Sequence, residues 1–191
     1  MKPDRLNAFT DGVIAIIITI MVLEMRVPEG TGLASLRPGL PIFGAYVLSF
    51  VYVGIYWNNH HHMMQTATRV DGRVLWSNLN LLFWLSLFPF VIRWIDERGV
   101  TALPVAAFGV VLTMASISYW LLEKALIAAE GEASGVARAI GSGFKEWFSF
   151  ALYVVGGMAA FLVSPWLSIV LYMLVAVIWL VPDRRFEKGS Q

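Results

Sequence analysis

One stretch constrains this chain more than any other. It covers residues 5–27 and reads RLNAFTDGVIAIIITIMVLEMRV. As a helix rising about 1.5 Å per residue, it is long enough to cross the ~30 Å hydrocarbon core of a bilayer. Yet it carries Asp11 near its start and Glu24 near its end. A carboxylate in hydrocarbon costs about 2.5–3.5 kcal/mol on insertion scales unless it is paired or hydrogen-bonded. Asp11 lies near the helix end, where the cost is lower, but it still needs donors. A helix of this kind reads as one that lines a pore and is held there by the rest of the chain.

The rest is equally apolar. Of 191 residues, 58% are hydrophobic and 14% charged, with a mean hydropathy of +0.69. Soluble domains carry roughly a quarter charged residues, so the chain reads as an integral membrane protein. Eight tryptophans, many near span ends, suit interfacial anchoring. A net charge of +1 gives no reason to expect a nucleic-acid partner, and the absence of cysteine excludes disulfide and thiol chemistry. The first apolar run is too long for a signal-peptide core, and no small-residue cleavage site follows it.

Hydropathy places six spans, at residues 6–25, 40–59, 74–95, 104–126, 147–163 and 166–181. At ~20 residues per span these use nearly the whole chain. The expected fold is all-α: one polytopic six-helix transmembrane domain over residues 1–191. The segment NNHHHMMQTATRVDGR reads as a polar connection, and EKALIAAEGEASGVARAIGSGFKE as the longest one. Ser164 and Pro165 read as a tight turn, residues 134–143 as a flexible connection, and PDRRFEKGSQ as a polar tail. With six spans the termini share a side. That side holds ten basic residues against four on the other, which predicts cytoplasmic termini in a cell (inner) membrane.

Helical geometry sorts the first span into faces. With each residue turning about 100°, Phe9 and Leu23 fall within about 20° of Ile16, Gly12 and Ile20 within about 40°, and Thr19 about 60° away. These six make one stripe. Asp11 lies about 140° from Ile16, on the other side. Its candidate donors are His60, His61, Asn78, Asn80, Trp57 and Trp76, all near the cytoplasmic ends of the second and third spans. Arg5 points to a different side of the helix, which argues against a direct pair with Asp11. The Asp11 cluster reads either as a polar knot that fixes helix packing or as a proton-sensing or ion-binding group.

The motif Arg5-x-x-x-Phe9-Thr10-Asp11-Gly12, followed by the apolar run to Val22-Leu23-Glu24, resembles the RxxxFSD signature of the transmembrane protein 175 family. These are endosomal/lysosomal potassium channels and their prokaryotic relatives. Looser similarity covers Trp57 with the histidines, Asn78 and Pro89. Thr10 stands where the family usually has Ser; it keeps the hydroxyl and adds a methyl.

The resemblance implies a homotetramer with one pore on the four-fold axis, lined by the first helix of each subunit. Ile16 would be the apolar constriction, with Ile20 and Leu23 as further rings, and Thr19 with Ile16 would contribute selectivity. Arg5, Phe9, Thr10, Asp11, Trp57, His60, His61 and Asn78 would form the packing network. The implied function is passive conduction of monovalent cations, potassium-selective but weakly so over sodium. The chain has no TVGYG-like loop of backbone carbonyls. The alternative is a proton-coupled cation transporter using Asp11 and the histidines. The absence of clustered acids in the other spans argues against a proton-driven pump.

Glu24 lies about 80° from Ile16. It reads either as a pore-mouth carboxylate that concentrates cations or as an ion-pair partner of Arg26 or Arg37. His60, His61 and His62 are consecutive and point in three directions, so no metal site is expected. Gly141-x-Gly143 is too short for a nucleotide loop, and no cofactor or enzymatic constellation stands out. Gly156 and Gly157 suit close helix packing. The expected partners are further copies of the chain, the bilayer and the permeant ions.

Overall fold

The computed structural model describes residues 3–131, 134, 137 and 144–180. Regular structure there is helical: α1 (Pro3–Leu23), a 3-10 segment (Leu33–Gly39), α2 (Leu40–Gln65), α3 (Gly72–Leu85), α4 (Phe88–Arg98), α5 (Ala102–Glu130), α6 (Phe144–Leu162) and α7 (Pro165–Leu180). Taking α3 and α4 as one apolar stretch, Gly72–Arg98, six helical units follow one another, as the hydropathy pattern predicts. Four of them are long and apolar enough to cross a bilayer, α6 and α7 being shorter at 19 and 16 residues. The chain is a multi-pass membrane protein. The tail, Gly141-x-Gly143 and most of residues 134–143 lie outside the described residues.

Three boundaries differ from the sequence expectation. The third span is broken rather than continuous. Pro89 has no N–H for the Leu85 carbonyl, and its ring crowds that carbonyl. The chain turns through Ser86 and Leu87, whose amide donates instead to the Trp84 carbonyl at 3.2 Å. The second helix does not end at Asn59 but runs on to Gln65, taking the three histidines with it. It continues because this polar turn still has a buried side, where His60, Met63 and Met64 pack into the core. The fourth span likewise continues to Glu130, whose carboxylate accepts the backbone N–H groups of Thr68 (2.5 Å) and Arg69 (2.6 Å).

α5 packs against α3, α4, α6 and α7. Tyr172 on α7 is wedged into this layer because Gly109 and Gly156 leave room for it. A Cβ on Gly109 would collide with the Tyr172 hydroxyl, and one on Gly156 with its ring. Tyr172 Oη donates to the Val105 carbonyl (3.4 Å), and Tyr52 Oη to the Tyr172 carbonyl (2.6 Å). Ser164 and Pro165 form the tight turn between α6 and α7, with the Ser164 amide bonded to the Ala159 carbonyl at 2.9 Å.

α1 packs on α2, α3 and α4. It is the most apolar of the four long spans and the least buried. The two ends of the bundle are tied separately. Glu130 binds the α2–α3 connection at one end. At the other, Arg26 pairs with Asp96 (3.1 Å) and Glu24 with Arg93 (3.5 Å).

Candidate pore helix and its anchor

The buried side of α1 is Leu6, Thr10, Ile14, Ile17 and Met21. Successive spacings of four, four, three and four keep these on one face. The stripe of Phe9, Gly12, Ile16, Thr19, Ile20 and Leu23 is exposed along its whole length. Ile16 is 58% exposed and Leu23 79%, although both are large aliphatic groups. Thr19 Oγ1 donates to the Ile16 carbonyl at 2.9 Å. The hydroxyl proton is thereby used within the helix, and the oxygen lone pairs remain outward. Beside the stripe, Val13, Ile16, Ile20, Ser86, Pro89 and Phe90 line an open groove of about 410 Å³ between α1 and α4. The break at Ser86–Leu87 shapes its wall.

The polar anchor sits on the opposite flank. Thr10 and Asn78 are fully buried and His60 nearly so. Asn78 Nδ2 donates to Thr10 Oγ1 at 2.9 Å, and Asn78 Oδ1 lies 2.8 Å from His60 Nε2. Because Nδ2 is the amide donor, Oδ1 accepts, which assigns the His60 proton to Nε2. Three residues thus join α1, α2 and α3.

Asp11 lies at the edge of this cluster and is exposed. Of its candidate donors, the structure selects Trp57, whose Nε1 donates to Asp11 Oδ1 at 2.9 Å. The Trp57 ring stacks on His61 at 5.8 Å between centroids, and His61 Nε2 is 2.8 Å from Gln65 Nε2. His60 and Asn78 serve Thr10 instead. Asn80 faces the other side of α3, since two residues are about 200° apart on a helix, and donates to Ser118 Oγ at 2.6 Å. Trp76, Arg5 and Phe9 are exposed on the protomer surface.

At the far end of α1, Glu24 pairs with neither Arg26 nor Arg37 but with Arg93 of α4. Sequence reasoning missed this partner because the break before α4 sets where Arg93 points. It also missed two acids. Glu123 on α5 is 5% exposed, and Glu146 lines a cavity between α2, α5 and α6. Glu123 interacts electrostatically with Glu146, which lies just outside the predicted fifth span. The signal was present as a glutamate on the apolar period of the fourth span.

The family model described as endosomal/lysosomal potassium channel TMEM175 matches residues 5–89, which run from α1 into the start of α4. A potassium channel of Chryseobacterium sp. (strain P1-3) is 54% identical over 189 residues, covering 99% of this chain and 98% of that protein. The chain belongs to the TMEM175 family. The crystal structure of a lysosomal potassium-selective channel TMEM175 homolog from Chamaesiphon minutus superposes with a TM-score of 0.79 at 26% identity, over 94% of this chain and 96% of that one. The human endosomal/lysosomal proton channel TMEM175 is 35% identical over 98 residues, 44% of this chain and 19% of that protein. In this TMEM175 chain the family-matched segment contains the exposed stripe and every member of the Thr10 and Asp11 clusters.

Proposed function

We propose that this chain is one subunit of a homotetrameric potassium channel, conducting passively through an axial pore lined by four copies of α1. The carrying observation is that the most apolar long span is the least buried, and leaves Ile16, Thr19, Ile20 and Leu23 uncovered on one face. Four such faces meeting on an axis would cover one another and enclose a narrow path. The 54%-identical potassium channel and the superposition on a potassium-selective homolog support this reading.

Ile16, Ile20 and Leu23 form the constriction and gate. Rings of aliphatic side chains exclude water from a narrow path, and a small outward rotation rewets it. Thr19, with Ile16, sets selectivity: its outward lone pairs offer a weak ring of oxygen ligands. Such a ring discriminates less than a carbonyl filter, so selectivity over sodium is weak. Glu24 at the pore mouth concentrates cations, moderated by its pair with Arg93. Thr10, Asn78 and His60, with Asp11, Trp57 and His61 beside them and Arg5 and Phe9 on the adjoining surface, hold the pore helix on its own subunit. In this reading the protein sits in the cell membrane with both termini in the cytoplasm, an orientation that the excess of basic residues on that side supports.

The human relative's name raises a second reading, in which protons are carried or coupled. Purified protein in liposomes separates the two. A channel conducts under a potassium gradient alone. A proton-coupled transporter requires a proton gradient and stops with Asp11→Asn in a variant that folds normally. No flux under either gradient overturns both.

A further inference from the structure

We infer that the groove between α1 and α4 is filled by the pore helix of a neighbouring subunit, which enters it with the flank that carries Ala15 and Val22. The inference rests on the tetrameric reading above and adds which faces meet and in which direction around the ring.

α1 is exposed unevenly. At about 100° per residue, its exposed positions reach only about 40° to one side of Ile16, at Ile20; Val13 and Glu24, about 60–80° away, are half-buried. On the other side exposure runs on through Gly12, Thr19, Ala8 and Ala15 to Val22, about 120° away. An axial pore uses only the face centred near Ile16. Val22, 45% exposed, points well away from that face, so a pore alone leaves this flank bare.

The two flanks have complementary relief. The long exposed one is built of small residues: Ala8, Gly12, Ala15 and Thr19 follow at spacings of four, three and four. Lipid tails are as apolar as Leu, so close packing rather than hydrophobicity joins helices in a bilayer, and small residues let backbones approach. The other flank is concave. There the open groove of about 410 Å³ separates α1 from α4, and Phe90 in its wall is 59% exposed.

Symmetry selects the occupant. A cyclic ring is made of head-to-tail contacts, so one flank of each subunit meets the opposite flank of the next. Copies related by an axis along the pore also stand at the same height. The groove runs from Val13 to Glu24 and so spans the heights of Ala15 and Val22. It shares Ile16 and Ile20 with the exposed stripe, which makes it continuous with the axial surface. Stripes that meet on the axis therefore bring the groove against the neighbour, with Phe90 of one subunit against Ala15 of the next. Each pore helix is then held between its own α4 and a neighbour's, and an outward rotation of one displaces the next.

The test uses the full-length, cysteine-free chain in membranes. Two differently tagged copies are coexpressed, one with Ala15→Cys and the other with Phe90→Cys, so a disulfide between them joins two subunits. Mild oxidation should give the mixed dimer on non-reducing gels, and this band should be lost when either variant is expressed alone. Leu23→Cys, cross-linked in parallel, reports the axis. Axial cross-linking without the mixed dimer means that lipid fills the groove; it overturns this inference and leaves the pore standing. Loss of both denies the assembly and the inference with it. A second measurement covers a poor disulfide geometry. Ala15→Trp, at an exposed position of the protomer, should convert tetramers to monomers on gel filtration in mild detergent, and Ala15→Ser should not. Ala15→Trp tetramers as abundant as those of the wild type overturn the contact.

Discussion

Thr10, Asn78 and His60 are withdrawn from solvent, so each must be satisfied by the others. Asn78 serves both neighbours, donating to one and accepting from the other. Asn78→Leu should therefore leave two buried polar groups unpaired and destabilise the protein by about 1–3 kcal/mol. Thr10→Ser keeps the oxygen and should be far milder. Thermal unfolding of the purified variants measures both; an Asn78→Leu protein as stable as the wild type would contradict this assignment. Ile16 is tested by conduction. Ile16→Ala or Ile16→Asn should raise basal potassium flux into vesicles and relax selectivity against sodium, and an unchanged current would remove Ile16 from the pore. The depth of these polar groups was legible in the sequence, but their pairing was not. Several donors share the level of Asp11, and only the rotation of α2 and α3 about their axes gave Trp57 to Asp11 and Asn78 to Thr10.

Among the helices, the tightest fit is that of Tyr172 between α5 and α6. Gly109→Ala places a methyl against the Tyr172 hydroxyl, and overpacking of this kind costs about 1–3 kcal/mol. Tyr172→Phe removes the colliding oxygen, so the double variant should recover part of the loss. Melting temperatures of the two single variants and the double variant decide it; strictly additive losses would show that the two residues do not share this contact. The sequence singled out Gly156 and Gly157 as packing glycines. Gly156 does admit the Tyr172 ring, and the Cα of Gly157 faces Gly109. The partner was not legible, since α5 and α7 are joined only through a long connection. Likewise Pro89 was visible as a breaker, but the two-residue turn through Ser86 and Leu87 depended on what the flanking helices pack against.

For the whole molecule, the uncovered stripe makes a prediction about assembly. The chain has no cysteine, so a single introduced one is a clean reporter. In membranes, Leu23→Cys and Ile16→Cys should be joined between subunits by a short bifunctional maleimide. Met21→Cys and Ile14→Cys, which replace residues buried within the protomer, should not. Denaturing gels read the outcome: Leu23→Cys that remains monomeric, or cross-links no better than Met21→Cys, would deny an axial meeting of the α1 stripes. Cross-linking of the wild type through lysines should reach four subunits and stop there.

Membrane residence, the number of helical units and the division of α1 into two faces were determined by the sequence alone. Hydropathy is a local property, and a helical repeat near 3.6 residues converts position in the chain into direction. The burial of Thr10 beside an exposed Asp11, the pairing of Glu24 with Arg93 and the gathering of Glu146, Tyr56 and Tyr119 around one cavity were decided only by the tertiary structure. Each depends on the depth and rotation of helices far apart in the chain. Those are set by how all the helices pack together and by the break before Pro89, and no single stretch of residues contains them.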